Sequence, residues 1–263
     1  MRFTKMQGLG NDYLYVYGEA PENIAFLSQT LSDRHFGAGS DGMIFISPSE
    51  TADFRMRIFN ADGSEAKMCG NGIRCVGKYV YDKGYTRKTE LKIETLSGIK
   101  TLYLRTSEGK VTDVTVDMGF AEVETGRVLT LGDGELDYTF VSVGNPHAVL
   151  FVDDAEHAPL ETRGPEIEKH PDFPDGINVE FVQVLSETRL RMRVWERGSG
   201  VTMACGTGSC AVAAAAVAKG ICKEGAKISV VLDGGILEIF VGKDGQLLMT
   251  GPACTVYEGE VIL

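Results

Sequence analysis

Apolar and polar residues alternate along much of this chain with the two-residue period of half-buried strands. Residues 192–196, Met-Arg-Val-Trp-Glu, alternate in this way and then loosen through glycines. They lead into Cys205-Gly-Thr-Gly-Ser-Cys and the run Ala-Val-Ala-Ala-Ala-Ala-Val-Ala, which has strong helix propensity. Nearer the start, residues 3–17 predict a strand, a Gly8/Gly10 turn carrying Asn11 and Asp12, and an aromatic strand. Pro21 opens a predicted helix over 21–31, with Ile24, Leu27 and Leu31 on one face. Strands follow at 43–46 and 54–59, then a helix over 72–83 closed by Gly84. Further strands are predicted at 91–95, 101–104, 111–116, 138–143, 148–152, 178–184 and 189–196, with a short helix at 163–169. Residues 227–232 and 236–241 form a predicted hairpin across Asp233-Gly234-Gly235. Strands far outnumber helices, and the strongest helix in each half starts at a cysteine. The simplest layout is α+β, a mostly antiparallel curved sheet wrapped around one central helix per lobe.

The halves echo each other. Met56-Arg57 matches Met192-Arg193, and Cys69-Gly70-x-Gly72 matches Cys205-Gly206-x-Gly208, all at an offset of 136. Asp41-Gly42 against Asp175-Gly176, and Gly10-Asn11 against Gly144-Asn145, share an offset of 134. This places a two-residue insertion between those points and Met192. A nearly constant offset over so much chain marks a duplicated unit. The expected organisation is an N-terminal lobe over 1–117 and a C-terminal lobe over 118–251, with the boundary taken from the repeat because no Pro- or Ser-rich linker marks it.

Bulk properties narrow the function classes. The 263 residues suffice for two domains of about 130 each. A net charge of −11 argues against a nucleic-acid backbone or an anionic membrane as partner. The first residues lack the apolar core of a signal peptide, and the longest apolar run, 211–218, is too short to span a bilayer. Six cysteines without a secretion signal predict reduced thiols and a cytoplasmic protein rather than a disulfide scaffold. Cys75, Cys210, Cys222 and Cys254 read as core residues. Neither Cys69 with Cys75 nor Cys205 with Cys210 has zinc-ligand spacing, so no metal is expected. The glycine-rich loop at 35–42 resembles a phosphate cradle, but no Lys-Ser/Thr follows Gly42 and the Rossmann spacing does not hold.

Cysteines at helix starts carry the candidate chemistry. Unsatisfied amides and the macrodipole favour an anion there, and a thiol in that place loses its proton more easily than a free one. Gly206 and Gly208 leave amides uncovered for a carboxylate or phosphate. A single such cysteine reads more readily as a buried helix start with packing glycines. Two copies predict a pseudo-twofold molecule with two thiols facing one cleft.

The ordered blocks make the chain resemble the diaminopimelate epimerase family. They are Gly10-Asn11-Asp12, residues 59–64 (Phe-Asn-Ala-Asp-Gly-Ser), residues 68–75 (Met-Cys-Gly-Asn-Gly-Ile-Arg-Cys), Gly144-Asn145-Pro146-His147, residues 176–179 (Gly-Ile-Asn-Val), Trp195-Glu196-Arg197-Gly198 and residues 204–208 (Ala-Cys-Gly-Thr-Gly). The resemblance runs nearly end to end. It implies two pseudo-symmetric lobes, each a mixed, largely antiparallel sheet rolled around a central helix, with residues 252–263 returning to the first lobe, and a homodimer. It further implies a cofactor-independent epimerase that interconverts LL- and meso-diaminopimelate in lysine and peptidoglycan precursor synthesis, with this small amino acid as its partner.

Inverting an α-carbon without an electron sink needs a base on each face and fixed donors around the carboxylate. The repeat and the resemblance together assign Cys69 and Cys205 as the acid/base pair, with the amides of Gly70, Asn71, Gly206 and Thr207 holding the reacting carboxylate. The family pattern carries His147 and Glu196 over as groups that tune protonation, though His147 alone would read as a residue satisfying a turn. Arg197 suits a bidentate carboxylate clamp. By resemblance Arg197, Asn60 and Asn178 bind the distal amino-acid end, and Asn11 and Asn145 complete the polar wall. Some family members carry Gln where this chain has Gly42, which leaves a contribution from Gly42 open. The rival readings are a pyridoxal-independent racemase of another amino acid such as proline or hydroxyproline, a non-catalytic binding protein of the same fold, and, less fitting, a thiol-disulfide oxidoreductase.

Overall fold

A computed structural model describes residues 1–262 and divides the chain into two compact units, Met1–Val116 with the segment from Gly251 onward, and Asp117–Thr250. The first unit opens with strands β1 (Arg2–Gly8) and β2 (Asn11–Tyr17), antiparallel across a turn in which Leu9 and Gly10 both take positive φ. Helix α1 (Ile24–Ser32) crosses to β3 (Gly42–Ser47), which lies parallel to β2. Strand β4 (Phe54–Asn60) runs antiparallel to β3 and pairs with the two-residue β5 (Glu65–Ala66). Helix α2 (Gly70–Asp82) then leads to β6 (Glu90–Thr95), parallel to β4, and on to β7 (Gly98–Ser107) and β8 (Lys110–Phe120).

The second unit repeats this order: β9 (Glu122–Leu131), β10 (Gly134–Ser142), β11 (Pro146–Phe151), α3 (Leu160–Glu168), β12 (Asn178–Ser186), β13 (Arg189–Glu196), β14 (Gly200–Val201), α4 (Gly206–Ala218), β15 (Lys227–Leu232), β16 (Gly235–Val241) and β17 (Gln246–Pro252). Again the two strand pairs joined through a helix, β11 with β12 and β13 with β15, are parallel, and the other neighbours are antiparallel. The last strand, β18 (Cys254–Glu260), pairs with β1 as β9 pairs with β10. Each unit is therefore a mixed, largely antiparallel sheet. A helix between two parallel strands is what such connections require, because a short turn cannot return the chain to the same end of the sheet.

Strand registers correct the sequence alignment of the halves. Ile46 pairs with Met56 and Val182 with Met192; Leu14 pairs with Met43 and Ala148 with Val179. The offset is thus 134 on β2/β11 and already 136 on β3/β12. The two extra residues lie in the connection between β11 and β12, upstream of Asn178. Gly42 corresponds to Asn178, so the Asp41-Gly42 and Asp175-Gly176 echo does not mark equivalent positions. By the same registers Tyr13 corresponds to His147, Ile44 to Glu180 and Asn60 to Glu196.

Local boundaries shift for identifiable reasons. Helix α1 starts at Ile24 rather than Pro21, whose carbonyl accepts the Ile24 N–H in a preceding turn (3.1 Å). Helix α2 starts at Gly70 rather than Gly72, because Cys69 caps it. Helix α3 starts at Leu160, since the Arg163 N–H closes on the Pro159 carbonyl (2.8 Å). Strands β9 and β18 were invisible to apolar alternation because their side chains are mostly exposed. For that reason Cys254, expected in the core, lies exposed on β18, whereas Cys75, Cys210 and Cys222 are buried. Burial pushes the Cys75 thiol up to about 11. In the 35–42 loop the amides of Gly37, Ala38, Gly39 and Ser40 turn back onto the carbonyls of Asp33, Leu31 and Ser32. They finish α1, which leaves no phosphate cradle.

Both central helices are buried. Residues 210–216 of α4 are inaccessible or nearly so on every side, which short alanine side chains permit. Around α2, Ile73, Cys75, Val76 and Val80 are fully covered.

Candidate active site

Each motif cysteine is the N-cap of its unit's central helix. Cys69 and Cys205 have extended backbones, and their sulfurs accept the N–H of Gly72 and Gly208, both at 3.3 Å. A sulfur in this role does what a serine or aspartate oxygen does at an ordinary cap, satisfying one of the orphan amides of the first turn. The sequence therefore folds the same way twice: an extended cysteine, glycine at the first and third helical positions, and a helix packed into a sheet. The third glycine is demanded by packing as well. A Cβ on Gly72 would lie 2.8 Å from Ile44 Cδ1, and one on Gly208 would lie 2.7 Å from Glu180 Oε1.

The surroundings of the two sulfurs differ. In the first unit the Cys69 S–H donates to Asn11 Oδ1 (3.2 Å), and Asn11 Nδ2 donates to Asp41 (2.7 Å). Asp41 also accepts the Asp12 N–H (3.0 Å) and Arg34 (2.9 Å), while Arg34 and Lys5 both reach the buried Asp12 at 2.8 Å. The Tyr13 hydroxyl is raised by burial and by the Cys69 sulfur. Asn71, buried, accepts from Arg74 (2.9 Å), whose fully buried guanidinium also donates to the carbonyls of Gly70 (3.1 Å) and Pro252 (3.2 Å). Asn60 lies at the end of β4 and donates to Ser64 Oγ (3.1 Å).

In the second unit a polar chain leads away from Cys205. Its sulfur is 3.6 Å from Thr207 Oγ1, which accepts from Asn145 Nδ2 (3.3 Å). Asn145 Oδ1 lies 3.2 Å from His147 Nε2, and His147 Nδ1 lies 2.6 Å from Glu180 Oε1. Glu196, at the end of β13, accepts from Thr202 (2.5 Å); burial raises its carboxyl above the ordinary value, Thr202 opposes this, and Glu180 adds to it. Burial likewise pushes the Cys205 thiol well up, reinforced by Glu196 and then Glu180 and only partly offset by Thr207 and the Gly208 amide. The expectation that a helix-start thiol ionises easily fails for Cys205, because desolvation and two carboxylates outweigh the helix terminus.

The distal candidates make separate hydrogen bonds, although Asn178 is the strand partner of His147 and Arg197 follows Glu196. Asn178 is buried, donates to the Pro146 carbonyl (3.1 Å) and accepts the Arg197 N–H (2.9 Å), tying two loops together. Arg197 is exposed and donates to the Asp175 carbonyl (2.9 Å), with its stem against Gly176. Gly42 offers backbone only: a Cβ there would lie 2.1 Å from the Phe59 carbonyl oxygen, so a glutamine needs a different local backbone. Among the described residues no group of three His, Cys, Asp or Glu side chains is placed to hold a metal ion. Among the described residues no helix is long and apolar enough to cross a membrane.

Sequence reasoning missed Glu180, Arg74, Asp41 and Thr202. Glu180 carried the one usable signal, an acid in a strand that is otherwise apolar at its neighbours Val179 and Phe181, and only the corrected register exposes it as the partner position of Ile44.

Comparison with known proteins bears on these arrangements. A family model described as diaminopimelate epimerase matches residues 3–124 and 139–256. The diaminopimelate epimerase of Acetivibrio thermocellus is 50% identical over 278 residues, covering 100% of this chain and 99% of that protein. Among solved structures, a PhzF-family phenazine biosynthesis protein of Bacillus anthracis matches with a TM-score of 0.79 at 18% identity, covering 100% of this chain and 99% of that one. A hydroxyproline epimerase from Agrobacterium vitis matches with a TM-score of 0.74 at 19% identity, covering 99% and 90%. At such identities these two structures establish a common fold and nothing finer. The family match and the full-length relative at half identity go further: this chain belongs to the diaminopimelate epimerase family.

Proposed function

We propose that the protein interconverts LL- and meso-diaminopimelate at one α-carbon, with Cys69 and Cys205 as acid and base and no cofactor. The observation that carries this reading is the paired cap: in two units of the same strand order, a cysteine sulfur accepts the third amide of a buried helix. One sulfur removes the α-proton as thiolate while the other, as thiol, returns a proton to the opposite face; the product direction exchanges their roles. The first-turn amides of Gly70, Asn71, Gly206 and Thr207 stabilise the carboxylate as charge develops on it. His147 and Glu196 tune Cys205, Asn11 and Asn145 wall the reacting end, and Asn60, Asn178 and Arg197 take the distal amino-acid end. A homodimer acting in the cytoplasm, supplying lysine and peptidoglycan precursors, completes the reading.

The test is α-proton exchange by NMR: reduced protein with LL-diaminopimelate in D2O and no added cofactor, beside Cys69→Ala and Cys205→Ala. The expected result is deuterium entering one α-position as the meso isomer accumulates, with both variants unable to epimerise. Exchange with another amino acid but not with diaminopimelate replaces the substrate. Exchange with no amino acid replaces the enzyme by a binding protein.

A further inference from the structure

We propose that Glu180 is a positioning residue: its buried carboxylate holds the Nδ1 proton of His147 and so aims Nε2 along the Asn145–Thr207 chain toward Cys205. This rests on the reading of Cys205 as an acid/base group. Three observations support it. Glu180 is wholly buried, with Oε1 2.6 Å from His147 Nδ1. Its other oxygen, Oε2, has no hydrogen-bond partner among the described residues, an arrangement costly enough to need a reason. And the fold does not itself require a carboxylate here, because the matching register position in the first unit is Ile44, packed on Gly72 as Glu180 is packed on Gly208.

An ionised carboxylate only accepts, so the nitrogen facing it must be the protonated one. His147 Nδ1 donates, and Nε2, whose partner Asn145 Oδ1 is likewise only an acceptor, donates as well. The ring is equally fixed in rotation, since Nδ1 and Nε2 are each held by a different residue. Asn145 in turn holds Thr207, the hydroxyl beside Cys205. No proton leaves Glu180 in this role. It orders the chain and touches neither thiol nor substrate. Gly208 belongs to the device, because any side chain there would occupy the space of Glu180 Oε1.

The test uses the full-length enzyme carrying 15N-histidine, with the His147 ring signals assigned by substitution, and steady-state kinetics on the same samples. In the wild type, free of substrate, His147 is expected to carry a proton on each ring nitrogen, the one on Nδ1 held by Glu180. Glu180→Ile is expected to lose the Nδ1 proton and to lower kcat by about 10- to 100-fold with KM within about twofold, the usual size of effect for a residue that orients a reacting group. Glu180→Gln keeps an acceptor oxygen and is expected to fall between the two. Wild-type kcat and an unchanged ring in Glu180→Ile, or a wild-type His147 protonated on Nε2 alone, overturns the proposal. Should Glu180→Ile fail to fold, Glu180→Gln decides by the same readouts: unchanged kcat together with an unchanged ring overturns it. The ring signals are read without substrate, so an enzyme inactive on diaminopimelate would overturn the proposed function while the NMR still judges Glu180.

Discussion

Two copies of one design hold their sulfurs in different electrostatic company. Cys69 faces Asn11, and behind Asn11 stands a charged group in which Asp12 and Asp41 are balanced by Lys5 and Arg34. Cys205 faces Thr207, and behind it stand His147, Glu180 and Glu196, with two carboxylates to one histidine. The corresponding positions explain the contrast: Tyr13, Ile44 and Asn60 in the first unit become His147, Glu180 and Glu196 in the second. Duplication preserved the cap, which the backbone dictates, and let the titratable neighbours diverge. A two-base reaction whose substrate and product differ at one centre has no need of identical bases, only of two that can each hold and release a proton.

The sharpest way to break the comparison is to remove each sulfur in turn. Cys69→Ser and Cys205→Ser each keep the cap acceptor, and each is expected to lower kcat about 10²- to 10⁴-fold, the span of a lost general acid or base. Thermal unfolding should change little in either. A variant that keeps near-wild-type turnover would show that its sulfur is a cap and nothing more.

Next come the third glycines. Gly208→Ala drives a methyl against Glu180 Oε1, which is tethered to His147, whereas Gly72→Ala meets the end of the Ile44 side chain. Overpacking a tight core costs about 1–3 kcal/mol in both. Only Gly208→Ala is expected to lower kcat as well, by about tenfold, because it displaces a residue of the polar chain. Equal kcat losses in the two variants would mean that the asymmetry in their neighbours is without consequence.

Glu196 gives the comparison a pH axis. Its folded-state carboxyl titrates above the ordinary value of 4.5, chiefly from burial. Between the unfolded and folded values the native state binds more protons than the unfolded one, so stability from this group is complete at low pH and lost as pH rises through the folded value. Glu196→Gln removes that loss. It is expected to unfold at a higher temperature than the wild type at pH 7 and at the same temperature near pH 4, measured by calorimetry. In a Cys69→Ser background it should also speed alkylation of Cys205 by iodoacetamide, since a carboxylate that holds the thiol protonated is gone. Slower alkylation would reverse the sign assigned to Glu196.

The sequence made the repeated cysteine caps, the glycines and the excess of strands legible, because these are encoded locally: extended-then-helical propensity around Cys69 and Cys205 and alternation along β4 and β13. It did not make the polar chains legible. Glu180 and His147 are 33 residues apart and meet only because β11 lies parallel to β12. Asn11 and Asp41 are likewise 30 apart across β2 and β3. Parallel pairing is set by the sheet as a whole, and no local spacing announces it. The misaligned Asp-Gly echo had the same origin, since the inserted residues fall in the connection that such a pairing spans.

The smallest expected effect separates orientation from charge in the first unit. Asp41 Oδ2 accepts from Asn11 Nδ2, which obliges the Asn11 carbonyl to face Cys69. Asp12 lies in the same cluster, is more deeply buried and does not bond the Asn11 side chain. Its carboxyl is held below the ordinary value by Arg34 and Lys5 against the opposing effect of burial, so it contributes stability above the unfolded value that is lost as pH falls. Asp12→Asn is therefore expected to lower the unfolding temperature at pH 7 by several degrees, with kcat unchanged. Asp41, more exposed, is expected to behave the other way. Asp41→Asn should cost about 1 kcal/mol or less, yet lower kcat about threefold, because an amide at 41 can present either face to Asn11 and no longer fixes which end of it meets the sulfur. If the pair behaves alike, losing stability and turnover together, Asn11 needs no orienting and the cluster serves the fold of the first unit only. If they separate as expected, each sulfur depends on one amide side chain aimed by a carboxylate: directly in the first unit, and through a histidine in the second.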